Sequence, residues 1–237
     1  LHGKYKLCEQ LKVMGFQTVG TASEYFAVDA SKVTPLPESM SFEEGAMIEP
    51  LAVAVHAVRQ AGDVEDKKIV VIGAGPIGNL VAQVAKGMGA EQVMVTDVSD
   101  YRLELAKGCG IDFAVNTREH EFGQAMVECF GPDKADIIYD CAGNNLTMNQ
   151  AIRCARKGST IILVAVFADM GGVQLVKRHL DPGRQAGPLR LQRSILCKNG
   201  IRQQLAIKTI EDVAAAPQFA KARTQRKETY KNIQPRT

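Results

Sequence analysis

The feature that most constrains this chain is a six-residue turn, Gly73-Ala74-Gly75-Pro76-Ile77-Gly78, set directly after the apolar run Ile69-Val70-Val71-Ile72. A continuous β-branched run of this kind predicts a strand buried on both faces. Beyond the turn, Ile77, Leu80, Val81, Val84 and Met88 fall on one stripe of a helix that Gly87 and Gly89 close. The alternation then repeats: strands are expected at 92–97, 112–116, 137–141 and 160–166, with helices at 100–107, 119–130 and 146–156. Strands separated by helices of about a dozen residues require right-handed βαβ crossovers. The expected fold class is therefore α/β, a doubly wound parallel sheet of the Rossmann type.

Each glycine of the turn has a physical task. Gly73 permits the sharp exit from the strand, Gly75 lets backbone approach a pyrophosphate, and Gly78 allows close packing of helix on strand. Pro76 and Ile77 open the helix, whose first amides and positive dipole end attract phosphate. A glycine-rich hexapeptide alone is weak evidence, but here a strand precedes it, a helix follows it, and an acid, Asp97, stands 19 residues after Gly78 at the end of the second strand. Asp97 can accept both hydroxyls of an adenosine ribose, and its charge repels a 2′-phosphate, which favours NAD over NADP. The competing reading is an exposed acid at a strand end. Arg102 qualifies the preference, because a guanidinium can pair with a phosphate; packing along the adenosine is the role expected beside Asp97.

Other segments are less informative. Residues 1 to about 40 carry short β-type runs such as Tyr25-Phe26-Ala27-Val28 between Gly15, Gly20, Pro35 and Pro37, which suits loops and edge strands. Ser41-Phe42-Glu43-Glu44 has capping-box spacing, and a helix is expected from there through Val53 and His56. The net charge of +3 hides an asymmetry: from Lys177 onward 14 Lys or Arg face 4 Asp or Glu, a balance of +10, and the rest of the chain carries −7. That tail loses helical and strand periodicity and is expected to be loosely packed, with no assigned structure. It has only Phe219 and Tyr230 as aromatics, which argues against nucleic-acid binding. Six cysteines without Cys-x-x-Cys spacing and the lack of any long apolar run lead to the expectation of a cytoplasmic chain with reduced thiols and no membrane association.

Taken together, Gly3-Lys4-Tyr5-x-x-Cys8, Gly20-x-x-x-Glu24-Tyr25, Ile48-Glu49-Pro50-Leu51-Ala52-Val53-Ala54-Val55-His56-Ala57, the glycine turn, Thr96-Asp97-Val98-x-x-Tyr101-Arg102-Leu103-Glu104-Leu105-Ala106 and Asp140-Cys141-Ala142-Gly143 resemble the zinc-containing medium-chain dehydrogenases. Within that family the likeness is to the sorbitol (L-iditol) and threonine dehydrogenase branch, and it runs from residue 3 to about 176.

The resemblance implies an NAD-dependent oxidoreductase that takes a polyol or other secondary alcohol to a ketone, homo-oligomeric in its intact form. It implies three segments: 1–45, a remnant of a GroES-like catalytic domain; 46–176, the NAD-binding domain; and 177–237, the basic tail. Cys8 matches the last of four cysteines that hold a structural zinc in the family, and Glu49 matches an acid at the catalytic zinc or its water. Val53 is then placed near the nicotinamide, and Cys141, Ala142 and Val164 along the cofactor. His56 is expected to be a packed histidine. The cysteine and the His-Glu pair of the catalytic site are expected to lie outside this sequence, and the tail departs from the family text. Three alternatives stay open: an NAD-binding fragment without turnover, a basic-tail interaction protein, and a zinc-free quinone reductase, against which Glu49-Pro50 and Cys8 argue.

Overall fold

The computed structural model describes Cys8, residues 10–166 and the backbone of residues 190–193. Strand β1 (Lys68–Ile72) lies in the middle of a six-stranded parallel sheet with β2 (Gln92–Asp97), β3 (Phe113–Asn116), β4 (Ile137–Asp140), β5 (Thr160–Leu163) and β6 (Arg190–Arg193), in the order β3-β2-β1-β4-β5-β6. The chain winds outward from β1 to β3, then crosses to the other side of β1 and winds out again. This is the doubly wound α/β arrangement expected from the sequence, with its reversal between β1 and β4.

The pleat explains the two cores. Ile69 and Val71 of β1 point to one face, where they meet α2 (Ile48–Gln60) and α3 (Pro76–Gly87) through Val58, Val81, Val84 and Ala85. Val70 and Ile72 point to the other, against Phe122 and Met126 of α5 (Phe122–Phe130) and Met148 of α6 (Asn145–Cys154). Helix α4 (Asp100–Gly108) covers β2 and β3 through Leu103 and Ala106. The buried Tyr139 hydroxyl donates to the Val58 carbonyl oxygen at 3.1 Å, tying β4 to α2 across the first core. At the opposite ends of the strands, Asp112 accepts from the Val93 amide at 2.7 Å and pairs with Lys86, and Asp136 accepts from the Lys68 amide at 2.9 Å and pairs with Arg156.

Three expectations need correction. The capping box forms, with the Ser41 hydroxyl accepting from the Glu44 amide at 3.2 Å and Glu44 accepting from the Ser41 amide at 3.0 Å, but its helix α1 (Phe42–Ala46) stops before α2 begins. Pro50 explains the break: in one continuous helix its ring would collide with the Ala46 carbonyl, whereas in the first turn of a new helix it is tolerated. Tyr25-Phe26-Ala27-Val28 is not a strand; among the described residues before α1 there is only a bridge between Met14 and Thr18 and one 3-10 turn, Ala30–Lys32. No residue described there is buried, so the segment has neither a partner backbone nor a core to organise a ladder. Finally, Arg190–Arg193 adds β6 parallel to β5 within the tail left without structure. An edge strand needs no apolar run on both faces, which is why a charged sequence concealed it. The remaining expectations about residues 177–237 lie outside the described residues, and no described helix is long and apolar enough to cross a membrane.

Candidate functional site

The crevice opens at the carboxyl ends of β1, β2 and β4, where the strand order reverses. Gly73 leaves β1 with φ +95°, a conformation open to glycine, and its amide donates to the Thr96 carbonyl at 2.7 Å. A Cβ at Gly73 would sit 3.2 Å from the Ala142 nitrogen and 3.3 Å from the Cys141 carbonyl carbon, so this turn and the one after β4 touch. At Gly78 a Cβ would come within 1.8 Å of the Gly73 carbonyl oxygen, and the helix can approach the strand only without one. Gly75 differs: a Cβ there would meet nothing within 4 Å. It is the N-cap of α3, no side chain caps that helix, and Pro76 occupies the first position, where no donor is lost. The open space and uncapped amides of Ile77 and Gly78 are what a pyrophosphate requires.

Asp97 lies across from this start. Its buried carboxylate accepts from Ala74 N at 2.8 Å through Oδ2, and from Val98 N at 2.8 Å and Ser99 N at 3.0 Å through Oδ1. The half-exposed Arg102 guanidinium stands 3.6 Å from Oδ2. The acid is therefore held rigidly, and Oδ2 keeps lone-pair capacity for a further donor.

On the far wall, the fully buried Asp140 ends β4. Its Oδ1 accepts from Ala142 N at 3.0 Å and Gly143 N at 3.1 Å, and Thr147 Oγ1 lies 3.3 Å from Oδ2. Burial pushes this carboxyl above its ordinary pKa, against the lowering effect of those amide bonds. Burial likewise raises the Cys141 thiol. Ala142 is exposed, whereas the Val164 side chain is buried in the core and its amide donates to the Asp140 carbonyl.

Glu49 is exposed in the first turn of α2, and partial desolvation raises its pKa. Val53, one turn on, is half-buried. His56 is half-buried with Nε2 3.2 Å from Gln60 Nε2, and desolvation lowers its pKa, which is the packed environment expected of it. Cys8 is a free, half-buried thiol. Among the described residues no three His, Cys, Asp or Glu side chains converge, so neither Cys8 nor Glu49 sits in a donor set of the size zinc needs. Gly73, Gly75, Gly78 and Asp97 do come together. The sequence marks Asp140 only as part of Asp140-Cys141-Ala142-Gly143, with no role of its own, and does not mark the Ala74 amide; an acid ending the apolar run Ile137-Ile138-Tyr139, three residues before Gly143, is the available signal.

A doubly wound sheet with a glycine turn and an acid-tipped second strand has the architecture in which dinucleotides are bound at the switch point. Residues 76–203 match the family described as zinc-binding dehydrogenase, and the chain belongs to that family. The match extends past residue 176, where the sequence likeness was expected to end, and takes in β6. Bovine (Bos taurus) sorbitol dehydrogenase is 38% identical over 160 residues, covering 66% of this chain and 45% of the relative, so the chain spans about half the length of such relatives. Among solved structures, one described as a short chain alcohol dehydrogenase from Escherichia coli CFT073, complexed with NADH, is 32% identical with a TM-score of 0.64 over 69% of this chain and 48% of that one. A zinc-binding dehydrogenase from Sinorhizobium meliloti 1021 bound to NADP is 27% identical with a TM-score of 0.64, covering 75% of this chain and 51% of the other.

Proposed function

We propose that this chain binds NAD across Gly73–Gly78, and that the protein to which it belongs oxidises a polyol or similar secondary alcohol to a ketone. The observation that carries the reading is the open space at Gly75, at the uncapped start of α3, facing the rigidly held carboxylate of Asp97. In this account the amides of Ile77 and Gly78, behind Pro76, receive the pyrophosphate. Asp97 accepts the ribose hydroxyls of the adenosine half and disfavours a 2′-phosphate, while Arg102 lies along the adenosine. Cys141, Ala142 and the backbone of Val164 form the opposite wall, and Val53 borders the nicotinamide end. NAD supplies an acceptor for the hydride of the alcohol carbon.

Glu49 belongs to the alcohol end in this reading, at the place the family gives an acid beside the catalytic zinc or its water, and partial desolvation raises its pKa. The division into a catalytic-domain remnant at 1–45, a nucleotide domain at 46–176 and a tail at 177–237 is part of the same proposal. The described residues do not fit a zinc ion, because Glu49 has no second and third donor beside it, and no step is assigned to the metal. A second reading is that the chain holds NAD without turning over an alcohol.

Calorimetric titration with NAD and NADP, beside NADH absorbance during incubation with a panel of polyols and zinc, separates these. Tighter binding of NAD than NADP is expected. Equal affinities overturn the role given to Asp97, and binding without turnover selects the second reading.

A further inference from the structure

The Asp140 carboxyl is completely buried at the centre of the sheet, level with Ile72 of β1 and Leu163 of β5, yet nothing in the nucleotide reading uses it. Among the described residues no Lys, Arg or His pairs with it. Its partners are instead the two amides of its own turn, Ala142 N and Gly143 N, and a single hydroxyl proton from Thr147. Thr147 Oγ1 is also 3.0 Å from the Asn144 carbonyl oxygen, so that one proton is shared between two acceptors. Leaving a carboxyl in such a place costs desolvation, and the amide bonds are what offset it.

The turn that these bonds fix is clamped from both sides. Its Ala142 nitrogen and Cys141 carbonyl carbon lie against Gly73, and a Cβ at Gly143, with φ +71°, would fall 2.6 Å from the Ala165 Cβ. The Asp140 carbonyl in turn accepts from Val164 N at 2.9 Å and Ala165 N at 3.0 Å. A displacement of the turn therefore moves Gly73, and Gly73 carries Gly75.

We propose that Asp140 is a positioning residue of the crevice: it sets the Cys141-Ala142-Gly143 wall, and through Gly73 the phosphate loop, by accepting hydrogen bonds rather than by its charge. The proposal rests on the nucleotide reading of the crevice. Asparagine at this position keeps an oxygen for Ala142 N and Gly143 N, and its amide can donate to Thr147 Oγ1, whose proton then goes to the Asn144 carbonyl. Alanine keeps neither.

The test is a titration of NADH fluorescence with the full chain and its Asp140→Ala and Asp140→Asn variants. Asp140→Ala is expected to weaken NADH about tenfold, the equivalent of one lost hydrogen-bonded anchor, with Asp140→Asn within about twofold of the parent. Binding by Asp140→Ala equal to the parent overturns the proposal, and so does Asp140→Asn as weak as Asp140→Ala, which would mean that charge does the work. A parent chain that binds no NADH overturns the nucleotide reading itself and is distinguishable from both. Should Asp140→Ala fail to fold, amide exchange in the parent without nucleotide decides: slow exchange at Ala142 and Gly143 is expected, and exchange at free-loop rates contradicts the proposal.

Discussion

Asp97 Oδ2 and the Ala74 amide are joined at 2.8 Å, so the acid that ends β2 is a brace of the glycine turn that ends β1. The bond gives Asp97 the task of holding the turn, to which the proposed function adds a second, receiving a ligand hydroxyl. Replacement by alanine removes a charged acceptor from a buried donor as well as from the ligand. Asp97→Ala is expected to lose about 1–3 kcal/mol of NAD affinity by calorimetry. Unchanged affinity would show that the carboxylate does not face the ligand.

Gly78 tests the packing beneath the turn. A Cβ 1.8 Å from the Gly73 carbonyl oxygen cannot be accommodated without moving α3 off β1. Gly78→Ala should cost about 1–3 kcal/mol of stability, several degrees in Tm by thermal denaturation. A parent-like Tm contradicts the described contact.

Tyr139→Phe removes the hydroxyl that donates to Val58 across the first core. The Val58 carbonyl also accepts from Ala61 N at 3.1 Å, so the deletion does not orphan it. A loss of about 0.5–1.5 kcal/mol in chemical denaturation is expected, with the slope unchanged. A loss several times larger would mean that the hydroxyl holds more than this bond.

The raised pKa of Asp140 has a signed consequence. The folded chain keeps this proton to higher pH than the unfolded chain, whose carboxyl titrates near 3.8, so the stability from the protonated form is complete below 3.8 and is lost as pH rises through the folded value. Asp140→Asn has no proton to lose. Its Tm relative to the parent should therefore increase as pH is raised from below 3.8 toward neutrality. A constant difference, or one moving the other way, contradicts the burial of a titrating carboxyl there.

The centre of the fold was legible because its signals are local. Ile69-Val70-Val71-Ile72 must be buried on both faces, and Gly73, Gly75 and Gly78 are spaced by the geometry of one turn, so strand, turn, helix and the position of Asp97 followed from the sequence. What escaped depends on partners distant in the chain. Pro50 splits α1 from α2 although the apolar pattern runs through, and Tyr25-Phe26-Ala27-Val28 has strand composition but no neighbour to pair with. Arg190–Arg193 forms a strand because β5 offers an edge, not because its residues demand one. In the crevice, Asp140 is part of a family-like motif without a role of its own until the closure of its turn against Gly73 gives the carboxyl a task.

The space in front of Gly75 is where the proposed function puts the pyrophosphate. Gly75→Val places a branched side chain there, and its Cβ would meet nothing within 4 Å outside its chain neighbours. The decisive measurement is an NADH fluorescence titration of the parent chain and Gly75→Val, with Tm recorded for both. One saturable NADH site per chain, lost in Gly75→Val at a parent-like Tm, is the predicted result; no binding by the parent, or equal binding by the variant, would contradict it.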